Sequence, residues 1–159
     1  MILYHGSNCE IESVDLLRCQ VGKDFGCGFY LTDLEPQARD MAIRRVRMAK
    51  EGTAIITSYL FDEMQLISNE LSVKVFDEPS EEWALFILAN RNNEKRQNNH
   101  AYDIVVGPVA DDGVAFQLER YEQGLIELNV LVKELTYKRL NKQYFFGTEK
   151  AILKLNRQQ

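Results

Sequence analysis

Cysteine, histidine, proline and tryptophan are all scarce in this 159-residue sequence, at three, two, three and one residues. Cys9, Cys19 and Cys27 cannot all pair and crowd into the first fifth of the chain. That argues against a secreted disulfide scaffold and fits a reducing compartment. These cysteines, with His5 and His100, match no zinc spacing. Asp103, Asp111 and Asp112 fit no recognised calcium loop and suit turn and cap duties, so no metal is expected. No run approaches the ~18 apolar residues of a membrane span. The opening Met1-Ile2-Leu3-Tyr4-His5-Gly6-Ser7 turns polar too quickly for a signal peptide, and a cytoplasmic protein is the expectation. A basic excess is missing as well: 24 acidic against 19 basic residues leave a net charge of −5. That disfavours nucleic-acid binding driven by overall charge. What is present is ordinary for a globular domain, 45% hydrophobic and 27% charged. The length allows one sizeable core, so residues 1–159 are read as a single domain.

Periodicity supplies the elements. Ile2-Leu3-Tyr4 is a short strand ending at His5-Gly6-Ser7. A turn-rich stretch punctuated by Gly22, Gly26 and Gly28 leads into the short strand Phe29-Tyr30-Leu31. A helix follows from about Leu34, with Pro36 in the first turn, where its missing N–H costs little. Its apolar positions are Leu34, Ala38, Met41, Ala42, Val46 and Ala49, and its other face is basic with Arg39, Arg44, Arg45, Arg47 and Lys50. That basic face reads first as solvated surface. Residues 54–61 form a strand, and 73–76 suggest another. Ser80 caps a helix over about 81–90, with two acids in its first turn. Residues 91–100 are a polar exposed loop, and 103–106 a buried strand halted by Gly107-Pro108. Helices over 113–123 and 127–140, a strand over 143–146 and a last helix capped by Thr148 complete the chain. Without a regular βαβ rhythm the class is α+β.

Chemistry is suggested at three places. Tyr4-His5-Gly6-Ser7 puts a histidine beside a glycine, where a ligand can approach the backbone, although such a histidine also serves simply by bonding a neighbouring carbonyl. Gly22-Lys23-Asp24-Phe25-Gly26-Cys27-Gly28-Phe29-Tyr30-Leu31-Thr32 could wrap backbone against a flat ligand or merely reverse the chain. It lacks the Gly-Lys-Ser/Thr ending of a P-loop and the G-x-G-x-x-G of a dinucleotide fold. Asn141-Lys142-Gln143-Tyr144-Phe145-Phe146-Gly147-Thr148-Glu149-Lys150-Ala151 brings Gln143 onto a late strand, while Glu149 suits the dipole of the following helix.

Taken together, these residues resemble the ADP-ribosyltransferase superfamily, nearest the His–Tyr–Glu branch of diphtheria toxin and the poly(ADP-ribose) polymerases. Trp83, Asn90-Arg91, the run Tyr102-Asp103-Ile104-Val105-Val106-Gly107-Pro108-Val109-Ala110-Asp111-Asp112 and Gln143 with Thr148-Glu149-Lys150-Ala151 extend the likeness to an uncharacterised bacterial family placed there. The resemblance covers residues 2–156. It implies short mixed strands in two packed sheets around an NAD cleft with flanking helices. NAD is implied as substrate, with His5 and Ser7 on the adenosine-side ribose, Gly6 backbone on the carboxamide and Tyr30 stacked on the nicotinamide. Gly28 is counted with these cofactor-binding positions. His5, Tyr30 and Gln143 are the implied catalytic set.

Two positions depart from the pattern. Gln143 stands where the best-known transferases have Glu, and a neutral amide can accept a hydroxyl hydrogen bond but carries no charge and is no base. Met41 stands where some relatives have a second stacking aromatic; it can still pack on a ring edge. The resulting expectation is an NAD-dependent mono-ADP-ribosyltransferase acting on a macromolecule, protein before nucleic acid, or on water. A bacterial toxin or effector with a neutralising protein partner, and no membrane, belongs to that expectation. The alternatives are a non-catalytic NAD or ADP-ribose-binding module and a cysteine hydrolase using Cys9 or Cys27 with His5.

Overall fold

Hydrophobic runs in the second half of the chain are continuous rather than alternating, and the structure shows why. In a computed structural model, which describes residues 1–136 and 141–158, the strands β5 (Ile104–Pro108) and β6 (Lys142–Phe146) lie at the centre of a four-stranded sheet. Val105 and Phe145 point into one core, while Ile104, Val106, Tyr144 and Phe146 point into another. With both faces buried, the stretches 104–106 and 144–146 are apolar at every position. The sheet runs β2 (Phe29–Leu31), β6, β5, β4 (Val73–Val75). The β4–β5 pair is parallel and needs a crossover, supplied by helix α2 (Glu81–Arg91). The neighbouring pairs are antiparallel.

A second, antiparallel sheet joins β1 (Ile2–Ser7), β3 (Ile55–Phe61) and β7 (Leu155–Arg157). Leu3, Tyr59 and Phe61 from this sheet meet Phe29, Leu31, Ile104, Val106, Tyr144 and Phe146 in one shared core. The other core lies under α2, α3 (Asp112–Glu122) and α4 (Leu128–Thr136), around Phe25, Trp83, Val105 and Phe145. The two sheets meet at a seam: Tyr4 and Thr32 exchange backbone hydrogen bonds of 2.7 and 2.9 Å. The architecture is therefore α+β, with two sheets and five helices among the described residues. None of these helices is long and apolar enough to cross a membrane.

Helix α1 (Glu35–Ala49) packs on β1. It sits close because β1 carries Gly6 where the helix crosses: a Cβ there would lie 1.9 Å from the Ala38 carbonyl oxygen. Ala38 and Ala42 are its buried residues. Leu34 and Met41, read as part of a broad apolar face, are exposed, so a strip of small residues rather than a wide stripe holds this helix. The caps behave as the sequence predicts. Ser80 Oγ accepts from the Trp83 N–H, and Thr148 Oγ1 accepts from the Ala151 N–H to open α5 (Glu149–Ile152). Three expectations need correction. β1 continues through Ser7, β5 takes in Gly107 and Pro108, and β7 was not foreseen. The expected end of the helix over 127–140 lies outside the described residues.

Candidate functional site

The seam between the sheets opens into a cleft of about 910 Å³, near the upper end of the range for small-molecule sites. β1 contributes His5, β2 contributes Tyr30 and β6 contributes Gln143 to its lining. These positions are far apart in sequence, and the seam makes their strands neighbours.

His5 is stacked on Phe29 at 4.4 Å between ring centroids. Its Nδ1 lies 2.7 Å from the Tyr30 carbonyl oxygen. A carbonyl can only accept, so Nδ1 carries the proton and Nε2 is left as an acceptor. Burial lowers the pKa of His5, with the Tyr30 carbonyl opposing and Arg45 adding to the shift. The neutral ring is therefore favoured. His5 thus bonds a neighbouring carbonyl through Nδ1, and the residue also lines the cleft.

Tyr30 is fixed at both ends. Its ring lies edge-on to Phe145 and against Phe25. Its hydroxyl donates to the Gly26 carbonyl at 2.7 Å and accepts from the Phe25 N–H at 2.9 Å. Burial drives its pKa well up, so the phenol stays protonated. The same two bonds tie down the segment that carries Lys23 and Asp24.

Gln143 donates through Nε2 to Asp24 Oδ2 at 2.8 Å and to the Pro108 carbonyl at 3.2 Å. Asp24 is the residue that motif reasoning missed. Its carboxylate also accepts from Arg91 Nε at 2.8 Å and from the Ala110 N–H. Among the described residues, the acids lining the cleft are Asp24, Asp111 and Asp112. Asp111 accepts from the Val114 N–H to cap α3, and Asp112 lies 4.0 Å from Arg44.

Cations gather here despite the chain's negative total. Lys23, Arg44, Arg45 and Arg91 all line the cleft. The Lys23 pKa is lowered by burial first and then by Arg45, while Asp24 opposes and Arg91 and Arg44 add to the lowering. The basic face of α1 thus divides. Arg44 and Arg45 line the cleft, whereas Arg39, Arg47 and Lys50 are not among its lining residues. Gly6 and Met41 also line it.

Two expected positions do not. Ser7 is buried and its hydroxyl donates to the Cys9 carbonyl. Gly28 is pressed against the core, where a Cβ would meet Phe145 Cε2 at 2.3 Å. Neither is among the lining residues. No cysteine lines the cleft among the described residues either. Burial together with Cys27 and Asp15 pushes the Cys19 thiol up to about 11. His100 sits elsewhere, among Phe86, Tyr102 and Phe145, with Nε2 bonded to the Phe25 carbonyl at 2.8 Å. Asp103, also weighed as a cation ligand, accepts from the Ser72 N–H and from the Thr148 hydroxyl. No group of three or more His, Cys, Asp or Glu able to hold a metal ion occurs among the described residues.

A family model described as "Protein of unknown function (DUF3990)" matches residues 1–156. No curated protein and no solved structure matches the chain.

Proposed function

The chain belongs to the DUF3990 family, and from the chemistry of its cleft we propose that it binds NAD and transfers one ADP-ribose unit to a macromolecule or to water. The observation that carries this reading is the convergence of His5, Tyr30 and Gln143 on one cleft. Lys23, Arg44 and Arg45 line the same space. The residues fit the ligand group by group. His5 Nε2 accepts from a ribose hydroxyl. The immobilised Tyr30 ring offers a flat face to a planar base at low entropic cost. Met41 supplies an adaptable apolar contact. The cations suit a diphosphate, which relieves their mutual repulsion.

NAD supplies a glycosidic bond whose cleavage spreads positive charge over the ribose. The chain's part is to orient the two halves and to hold acceptors near that charge. The fold proposed with this activity is ADP-ribosyltransferase-like, with short mixed strands in two sheets around the cleft. A protein acceptor is preferred, because the net charge of −5 works against a nucleic acid. A toxin or effector role in the bacterial cytoplasm, held in check by a neutralising protein partner, accompanies the same proposal.

One observation favours a second reading, a module that binds NAD or ADP-ribose without cleaving it. Asp24, the carboxylate beside Gln143, already accepts from Arg91, Ala110 and Gln143, so it is poorly placed to act as a base. Incubation with NAD labelled separately in its adenylate and nicotinamide halves decides between them. Transfer predicts free nicotinamide, with the adenylate label on a lysate protein or in free ADP-ribose. NAD bound and recovered intact favours the module, and no binding at all contradicts both.

A further inference from the structure

A neutral amide stands at position 143, yet a carboxylate lies 2.8 Å from it. We propose that Asp24 is a positioning residue that acts through Gln143: it turns the amide so that Oε1 meets the ligand, and it polarises that oxygen. The inference deepens the NAD reading and, for the ligand, rests on it.

The neighbours of Gln143 Nε2 are the Asp24 carboxylate at 2.8 Å and the Pro108 carbonyl at 3.2 Å. Both are acceptors only, so they fix which end of the amide faces them; the reverse orientation would set Oε1 against two lone-pair donors. Both amide hydrogens are thereby committed, and Oε1 is what Gln143 offers to the cleft. Donation to a carboxylate draws electron density toward Oε1 and strengthens it as an acceptor for a hydroxyl. Negative charge absent from position 143 thus acts from position 24.

Asp24 is held firmly enough to do this. Its side chain is 13% exposed and its Oδ1 is 2.8 Å from Arg91 Nη2, as it is from Nε. The Ala110 N–H reaches Oδ2 at 3.2 Å, and Arg91 also donates to the Ala110 carbonyl. The arrangement also accounts for the residue type at 143. A glutamate there would set a second carboxylate against that of Asp24, and their repulsion would favour a proton on one of them.

The test has two arms. In the first, side-chain amide signals of unliganded protein are recorded by ¹⁵N NMR, Gln143 being identified by the pair lost in Gln143→Ala. A pair protected from solvent exchange, which becomes ordinary in Asp24→Asn, supports the proposal. A pair exchanging like that of an exposed glutamine in the wild type overturns it. In the second, nicotinamide release is measured for Asp24→Asn, Gln143→Glu and the two combined. Each single change should lower kcat by roughly ten- to a hundredfold, the range of a charge-assisted hydrogen bond. The combination, which moves the charge from 24 to 143, should recover at least about tenfold over Gln143→Glu. Losses that simply multiply overturn the proposal, because a role confined to bracing the loop gives no rescue. Should Gln143→Glu fail to fold, the near-isosteric Asp24→Asn and its amide signals carry the decision. A wild type that neither binds nor cleaves NAD contradicts the NAD reading alone, and the first arm then decides the positioning role by itself.

Discussion

At the scale of single residues, the Tyr30 hydroxyl joins the core to the cleft. It satisfies one backbone donor and one backbone acceptor in the turn that precedes β2. Tyr30→Phe keeps the ring and strands both groups, each costing about 1–3 kcal/mol where water cannot reach. Urea unfolding should therefore show a loss of that order, and a change within about 0.5 kcal/mol would mean that the turn is braced by something else. His5, Tyr30 and Gln143 were readable through the family resemblance that their short motifs carry, and all three line the cleft. Asp24 was not, since its partners Arg91, Ala110 and Gln143 lie 67, 86 and 119 residues away. Ser7 and Gly28 show the opposite failure. Both belong to the same motifs, but one bonds its own turn and the other makes room for Phe145.

At the scale of elements, the contact between α1 and β1 decides where the cations stand. Gly6 admits the helix backbone at a distance no side chain allows, and Arg44 and Arg45 ride on that helix. Gly6→Ala should destabilise the protein by about 3 kcal/mol or more, because the obstacle is backbone and not a flexible side chain. It should also weaken binding of a diphosphate ligand by the protein that remains folded, as measured by calorimetry. Full affinity in a folded variant would show that α1 does not set the cation positions. The start of α1 was readable from Pro36, and those of α2 and α5 from Ser80 and Thr148, because capping is local chemistry. The edge strand β7 was not, because three partly exposed residues become a strand only when β3 offers them a partner. The division of the basic face of α1 was equally hidden. Helical spacing says which residues share a side, but not which part of that side a cleft adjoins.

Across the whole molecule, charge and histidine protonation set two dependences on conditions. The chain is acidic overall while its cleft gathers Lys23, Arg44, Arg45 and Arg91. Affinity for NAD should therefore fall as salt rises from about 0.01 M to about 0.15 M, where the screening length shrinks from ~30 to ~8 Å. Affinity that does not change with salt would remove these cations from the binding account. His5 and His100 both have their pKa lowered by burial. The unfolded chain takes up these protons near pH 6.5, while the folded protein resists them until lower pH. Stability is then full above about pH 6.5 and is lost as pH falls toward the folded values, by at most ~1.4 kcal/mol per pH unit for each histidine. Denaturant melts at pH 7.5 and 5.5 should differ in that direction, and equal or greater stability at pH 5.5 would contradict the assignment of two partly buried neutral rings. The α+β class was legible at this scale from the order of elements. The convergence of three distant strands on one seam was expected only through the resemblance, because no local signal encodes which strand becomes whose neighbour.

We propose that His5 and Gln143 act together on NAD in this cleft, and nicotinamide release is the decisive readout. Wild type, His5→Ala and Gln143→Ala should be compared at saturating NAD, with folding of each verified. The wild type should release nicotinamide and each variant should lose roughly tenfold or more of that rate, the scale of one removed hydrogen bond to developing charge. Release that is undiminished in both variants would contradict it.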